Sequence, residues 1–200
     1  MNINDSGIKM TQEALFHFGD LFTEVTVATL MALLGVAAWF DIKARRIPNW
    51  LVLTGLISSL GIQLLFSSGS LSAWGLGMLV GFGLFLPLYL VHAMGAGDVK
   101  LMAMVGGFLG PAGAAGVALT TLVAGGVLAI GVALWSGALR HTVANVRILV
   151  TQTIFKTLHG GSVQLDAPPN SAGNLPYAVA IAAGTLIHLV LVRSGHALFV

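Results

Sequence analysis

Five stretches of this chain, 25–40, 50–66, 73–94, 113–135 and 175–192, come near the length at which a helix crosses a bilayer, and nothing else in the sequence constrains the fold as tightly. A spanning helix needs about 20 mostly apolar residues to traverse about 30 Å of hydrocarbon. A sixth stretch, Val99 to Leu109, has only 11 residues and rises about 16 Å at 1.5 Å per residue. It predicts a half-span whose ends sit inside the membrane, with Gly110 and Pro111 turning the chain into the next segment. A mean hydropathy of +0.93 and a charged fraction of only 8% agree, because so little polar surface cannot keep a monomer in water. The expected fold is all-α: a polytopic membrane protein of about six transmembrane helices, one of them short.

The basic residues set its direction. If the six segments alternate, the loops at 41–49, 95–98 and about 136–174 share one side, which holds Lys43, Arg45, Arg46, Lys100, Arg140, Arg147 and Lys156, seven of the nine basic residues. The positive-inside rule makes that side cytoplasmic and both termini extracytoplasmic. Residues 1–24 agree, with Asp5, Glu13, Asp20 and Glu24 against Lys9 alone. A secretory signal starts with a basic region, so this acidic start argues against one, and the first span is expected to be retained. Residues 25–200 then form a single membrane domain. Within it, Leu139, Val143, Val146, Leu149 and Ile154 recur at roughly helical spacing, which suits an amphipathic helix on an anionic leaflet, or a plain surface-bound connector, in the loop at about 138–174. The pI near 9.3 is explained by this asymmetry, and no nucleic-acid partner is expected; lipid is.

Asp41 closes the first span and Asp98 opens the short one, both on the cytoplasmic side. Charge near hydrocarbon is costly, about 2.5 to 3.5 kcal/mol at a span centre, so such acids usually face protein or water and are functional candidates. Asp41 reads equally well as a helix-end charge balanced by Lys43, Arg45 and Arg46. Asp98 also suits a helix N-terminus, where the dipole favours a carboxylate, and Gly95 and Gly97 before it allow positive φ and the close approach of other chain segments, so a tight turn is expected there. A cap explains one acid but not a second on the same side. Two carboxylates within hydrogen-bonding distance cannot both ionise easily, and a pair that holds one proton suits peptide hydrolysis with neither metal nor other cofactor.

DIKARRIPN, Asp41 to Asn49, followed by GAGDVKLMAMVGGFLG, Gly95 to Gly110, resembles the two aspartate motifs of the type IV prepilin peptidases, membrane aspartyl proteases of the GxGD class. LPYAVAIAAG, Leu175 to Gly184, is similar to the family's Pro-aromatic motif, with Ala178 where many relatives have glycine. The resemblance implies that Asp41 and Asp98 are the catalytic pair and that Gly95 and Gly97 shape the turn. Lys100 then holds the loop or orients a carboxylate, unless it merely snorkels to the interface. Pro48 and Asn49 start the second span. The implied substrate is a prepilin or pseudopilin whose basic leader is cut at the cytoplasmic face of the bacterial inner membrane, and the implied further partner is the pilus assembly machinery. Long relatives carry a cysteine-bearing insert and methylate the new N-terminus. This chain has no cysteine and a nine-residue first loop, and so resembles the short, peptidase-only form of the tight-adherence (Flp) pilus systems.

Two other readings fit the same acids. One is a GxGD protease for another membrane substrate, such as a preflagellin; the other is a transporter that couples ions through Asp41 and Asp98. His92 and His188 belong to no ligand motif and are expected as hydrogen-bonded histidines rather than metal ligands. Trp39, Trp50, Trp74 and Trp135 lie at span ends, where they suit interfacial anchoring.

Overall fold

A computed structural model describes residues 3–66, 71–90, 93–135 and 176–195, every regular element of which is helical. Helices α1 (Ile3–Ala44), α2 (Asn49–Phe66), α3 (Leu71–Leu90), α4 (Ala96–Trp135) and α5 (Tyr177–Arg193) follow in order. Three of them are long and apolar enough to cross a membrane, through Leu21–Ala44 of α1, Leu71–Leu90 and Ala96–Val132, and α2 and α5 are shorter apolar helices. Their outward faces carry large apolar side chains such as Leu65, Leu79, Val123 and Val127, as a lipid solvent requires. α1 reaches back beyond the first apolar stretch to Ile3. The amphipathic segment anticipated at about 138–174 and His92 lie outside the described residues.

The short segment is the hub of the fold. α4 is broken at Gly110, whose φ of 73° and ψ of −177° belong to a region essentially closed to other residues. Pro111 follows at the start of the second arm, where its missing N–H is no loss. The break folds the arms together. A Cβ built on Gly106 would lie 3.3 Å from that of Ala114, whereas eight residues of straight helix span about 12 Å. The turn thus falls where the hydropathy put it, although the short helix begins at Ala96, three residues early.

The first arm, 96–109, is enclosed, with Leu101, Met102, Met104 and Val105 wholly buried. It runs against α3 at backbone contact: a Cβ on Gly77 would meet the Gly106 carbonyl, one on Gly106 the Gly77 carbonyl, and one on Gly81 the Met102 carbonyl. Without a hydrophobic force between helices in lipid, such close approach is what association depends on. α2 closes the next side, where Trp74 Nε1 donates to Ser59 Oγ at 2.9 Å beside Gly107. The second arm packs antiparallel to α5, and Thr120 Oγ1 donates across to the Gly184 carbonyl at 2.8 Å. Gly116 lies under the ring of His188 and Gly125 beside Tyr177. The returning second arm therefore brings the start of α5 to the same end of the bundle as the start of α4.

Of the expected anchors, Trp39, Trp50 and Trp135 are exposed, while Trp74 is partly buried and spends its N–H on Ser59. His188 is buried, and among the described residues no hydrogen bond reaches its ring.

Candidate functional site

Asp41 belongs to the last turn of α1. That helix ends when Arg45, its N–H bonded to the Asp41 carbonyl at 2.9 Å, adopts a left-handed φ of 51°. A residue in this conformation commonly stops a helix, though glycine usually fills the position. The chain then crosses through Arg46, Ile47 and Pro48 to α2. Pro48 stands one residue before the helix and Asn49 is its first residue; the Leu51 N–H donates back to the Pro48 carbonyl at 3.1 Å. Both expected starters of the second helix thus lie at its start, with Pro48 just outside it.

Asp98 sits in the first turn of α4, three residues after Gly95. Its Oδ2 accepts the Gly95 N–H at 3.0 Å, and its own N–H donates to the Gly95 carbonyl at 3.2 Å. This is the carboxylate half of a capping box, in which the third helical residue reaches back to the cap. The expected tight turn forms, closed by the Asp98 N–H on the Gly95 carbonyl, but without positive φ. Neither Gly95 nor Gly97 has a positive φ, and Gly97 is already helical. What these two glycines supply is room. A Cβ on Gly97 would come within 3.2 Å of Ile47 Cβ, and one on Gly95 within 3.3 Å of Asp98 Oδ2. The loop after Asp41 therefore rests on the turn that carries Asp98. Lys100 fastens the same contact by donating to Asn49 Oδ1 at 3.0 Å. Among the described residues neither a hydrogen bond nor an ion pair joins Lys100 to either acid.

Three chain segments meet at the two acids. Asp41 Oδ2 accepts the Ala178 N–H at 2.9 Å, a bond across 137 positions of sequence, so the N-terminus of α5 points at Asp41. The first four N–H groups of a helix lack partners within it and, with the dipole, form a natural seat for an anion. Asp98 is within electrostatic reach of both Asp41 and Tyr177. Both aspartates are buried, at 9% and 8% exposure, whereas Lys43, Arg45 and Arg46 are exposed. Among the described residues neither acid forms an ion pair. Asp41 is therefore not balanced by the basic residues next to it. Each carboxylate spends Oδ2 on one backbone N–H, and among the described residues no hydrogen bond takes either Oδ1. The described residues contain no group of three or more His, Cys, Asp or Glu side chains placed to hold a metal.

Sequence reasoning missed Tyr177 and Ala178 as neighbours of the acids. Pro176, which stands immediately before α5, was the available signal, since proline at a helix start leaves the free N–H groups of the first turn just beyond it. The contact is made by main chain, however, which any residue but proline supplies.

The sequence profile of the type IV leader peptidase family matches residues 28–130, just over half of the chain, from the first apolar helix through most of α4. No curated protein and no solved structure matches the chain.

Proposed function

The chain belongs to the type IV leader peptidase family, and from that premise we propose that Asp41 and Asp98 are the catalytic pair of an aspartic endopeptidase of the GxGD class. The observation that carries this reading is a pair of buried acids within electrostatic reach of one another, each accepting a backbone N–H at a helix start, with no cation paired to either and neither Oδ1 bonded among the described residues.

The chemistry follows from a pair that shares one proton. The ionised carboxylate takes a proton from water as its oxygen attacks the scissile carbonyl, and the protonated carboxyl gives its proton to the carbonyl oxygen. The tetrahedral intermediate collapses with breakage of the C–N bond, the nitrogen receives a proton from the pair, and an acid and an amine leave. One water is consumed. The Oδ1 atoms, to which no described residue bonds, are the ones proposed to hold that water, while the two backbone N–H groups orient the carboxylates.

The six-segment topology supports a site at the cytoplasmic edge of a bacterial inner membrane, with both termini on the other side, because Lys43, Arg45, Arg46 and Lys100 cluster at the end that carries the acids. Only residues 45–48 separate α1 from α2, and the chain has no cysteine. Both features support the short form without N-methylation, acting on a Flp-type prepilin or pseudopilin ahead of the pilus assembly machinery. A transporter reading gains nothing from two acids at one end of the bundle.

The test is cleavage of a Flp-type prepilin co-expressed in membranes with wild type, Asp41→Asn or Asp98→Asn. Processing by wild type and by neither variant is expected. Processing by both variants overturns the paired-acid assignment, and a wild type that leaves the prepilin intact overturns the choice of substrate.

A further inference from the structure

A cavity of about 230 Å³ lies between the end of α3, the second arm of α4 and the start of α5. Phe85, Leu88, Met94, Thr121, Gly125 and Tyr177 form most of its wall. Two of these side chains belong to residues directly joined to the acid pair's supports. Tyr177 precedes Ala178, whose N–H holds Asp41, and Met94 precedes Gly95, whose N–H holds Asp98. The wall of the cavity is thus one residue along the chain from each backbone N–H that holds an acid.

Its size and chemistry restrict what enters. An apolar cavity of about 150 Å³ takes up benzene, so this one accepts an aromatic ring or a branched aliphatic side chain. A second helix, about 10 to 12 Å across with its side chains, is far too large. Thr121 adds a polar point to the wall. It is 2% exposed, and its hydroxyl is, among the described residues, the buried side-chain polar atom with no hydrogen-bond partner. Its neighbour Thr120, by contrast, finds three carbonyls. The Thr121 hydroxyl lies against Gly184, in the seam between the second arm and α5.

We propose that this cavity is a specificity pocket, which receives one large apolar side chain from a residue flanking the bond that is cut. The inference rests on the assignment of Asp41 and Asp98 as the cleaving pair. Gly125 sets the width of the pocket. A Cβ there has ordinary room, 3.6 Å from Ala180 Cβ and 3.9 Å from Tyr177 Cε1, so alanine fits without displacing the helices and a longer side chain occupies the cavity.

The experiment uses the full chain in membranes with two forms of a Flp-type prepilin, one with phenylalanine placed beside the scissile bond and one with alanine there. Wild type favours the large residue by about 10- to 200-fold in kcat/KM, the range that one apolar group in a pocket supplies. Gly125→Leu lowers that preference at least tenfold and keeps cleavage of the alanine form, and Gly125→Ala falls between. Should the leucine variant not accumulate, the alanine variant decides alone. An unchanged preference in either variant, or equal loss on both substrates, overturns the pocket. Asp98→Asn in the same assay separates the two claims. If it still cleaves, the catalytic assignment fails, whereas a dead Asp98→Asn beside an unchanged preference sinks the pocket alone.

Discussion

The two ends of the helix bundle treat acidic residues in opposite ways. At one end Asp41 and Asp98 are buried, with no cation paired to either among the described residues. At the other, Glu24 Oε1 meets Arg193 Nη2 at 2.6 Å, tying α1 to the end of α5 with both side chains about two-thirds exposed. If burial served stability, the unpaired acids would be the wrong choice, since buried charge is retained against a desolvation cost and exposed pairs avoid it. The contrast teaches that the two ends handle charge differently, one burying unpaired acids as the proposed chemistry requires and the other exposing a paired tether.

The largest expected effect breaks the contrast at its strong end. Asp41→Asn and Asp98→Asn each remove an acid–base group while keeping its shape, so cleavage falls by at least about 10² to 10⁴-fold. Stability does not fall in parallel, because an amide is cheaper to bury than a carboxylate and its oxygen still accepts the backbone N–H. Thermal unfolding in detergent checks this. A variant that loses activity and melting temperature together would assign the acids a structural role.

Next comes the arm that carries Asp98. Gly106→Ala forces a methyl group into the Gly77 carbonyl, backbone against backbone, with no flexible side chain to yield. Overpacking of this kind destabilises by about 1 to 3 kcal/mol, and here it also moves Asp98 relative to Asp41. Gly83→Ala is the control. It has open space around its Cβ, and alanine improves helix propensity by up to about 1 kcal/mol. Equal melting temperatures for the two variants would show that the close contact between α3 and the first arm does not hold the site together.

A smaller effect is expected where the dyad end does use a cation. Lys100→Met cuts the bond to Asn49 but leaves both acids untouched, so stability drops by about 0.5 to 1.5 kcal/mol and cleavage by less than tenfold. Asn49→Ala should do the same. Were Lys100→Met as damaging as Asp98→Asn, Lys100 would act on the reaction rather than on the loop.

How much of this was legible in the sequence depends on which physical property carried the signal. Hydropathy marks the half-span and its turn at Gly110 and Pro111, because a stretch of 11 apolar residues cannot cross the membrane and must stop somewhere inside it. Asp41 and Asp98 stand out for the same reason, as charges at the ends of apolar runs. That they meet is not legible, since 57 positions separate them and only the packing of four helices joins them. Gly95 and Gly97 are legible as allowing both positive φ and close approach, and the residue type does not say which is needed; only the close approach is used. Ala178 is visible only as part of the stretch that follows Pro176, and Thr121 carries no signal at all. The first contributes its backbone, and the second matters because its hydroxyl lacks what Thr120 beside it has.

The smallest effect tests the other end. Glu24→Gln and Arg193→Gln, alone and together, should give a coupling of only about 0.2 to 1 kcal/mol, as exposed ion pairs do, and that coupling should shrink as salt is raised. Cleavage should stay within twofold of wild type in all three variants, because α5 reaches Asp41 through its opposite end, a helix length away. A larger coupling, insensitive to salt, would mean that this pair is shielded from water in the membrane, and the two ends would then differ less in how they handle charge than their exposure indicates. A loss of cleavage without a loss of stability would mean instead that the tether sets the position of the α5 N-terminus, so that Glu24 and Arg193 position the Ala178 N–H beneath Asp41.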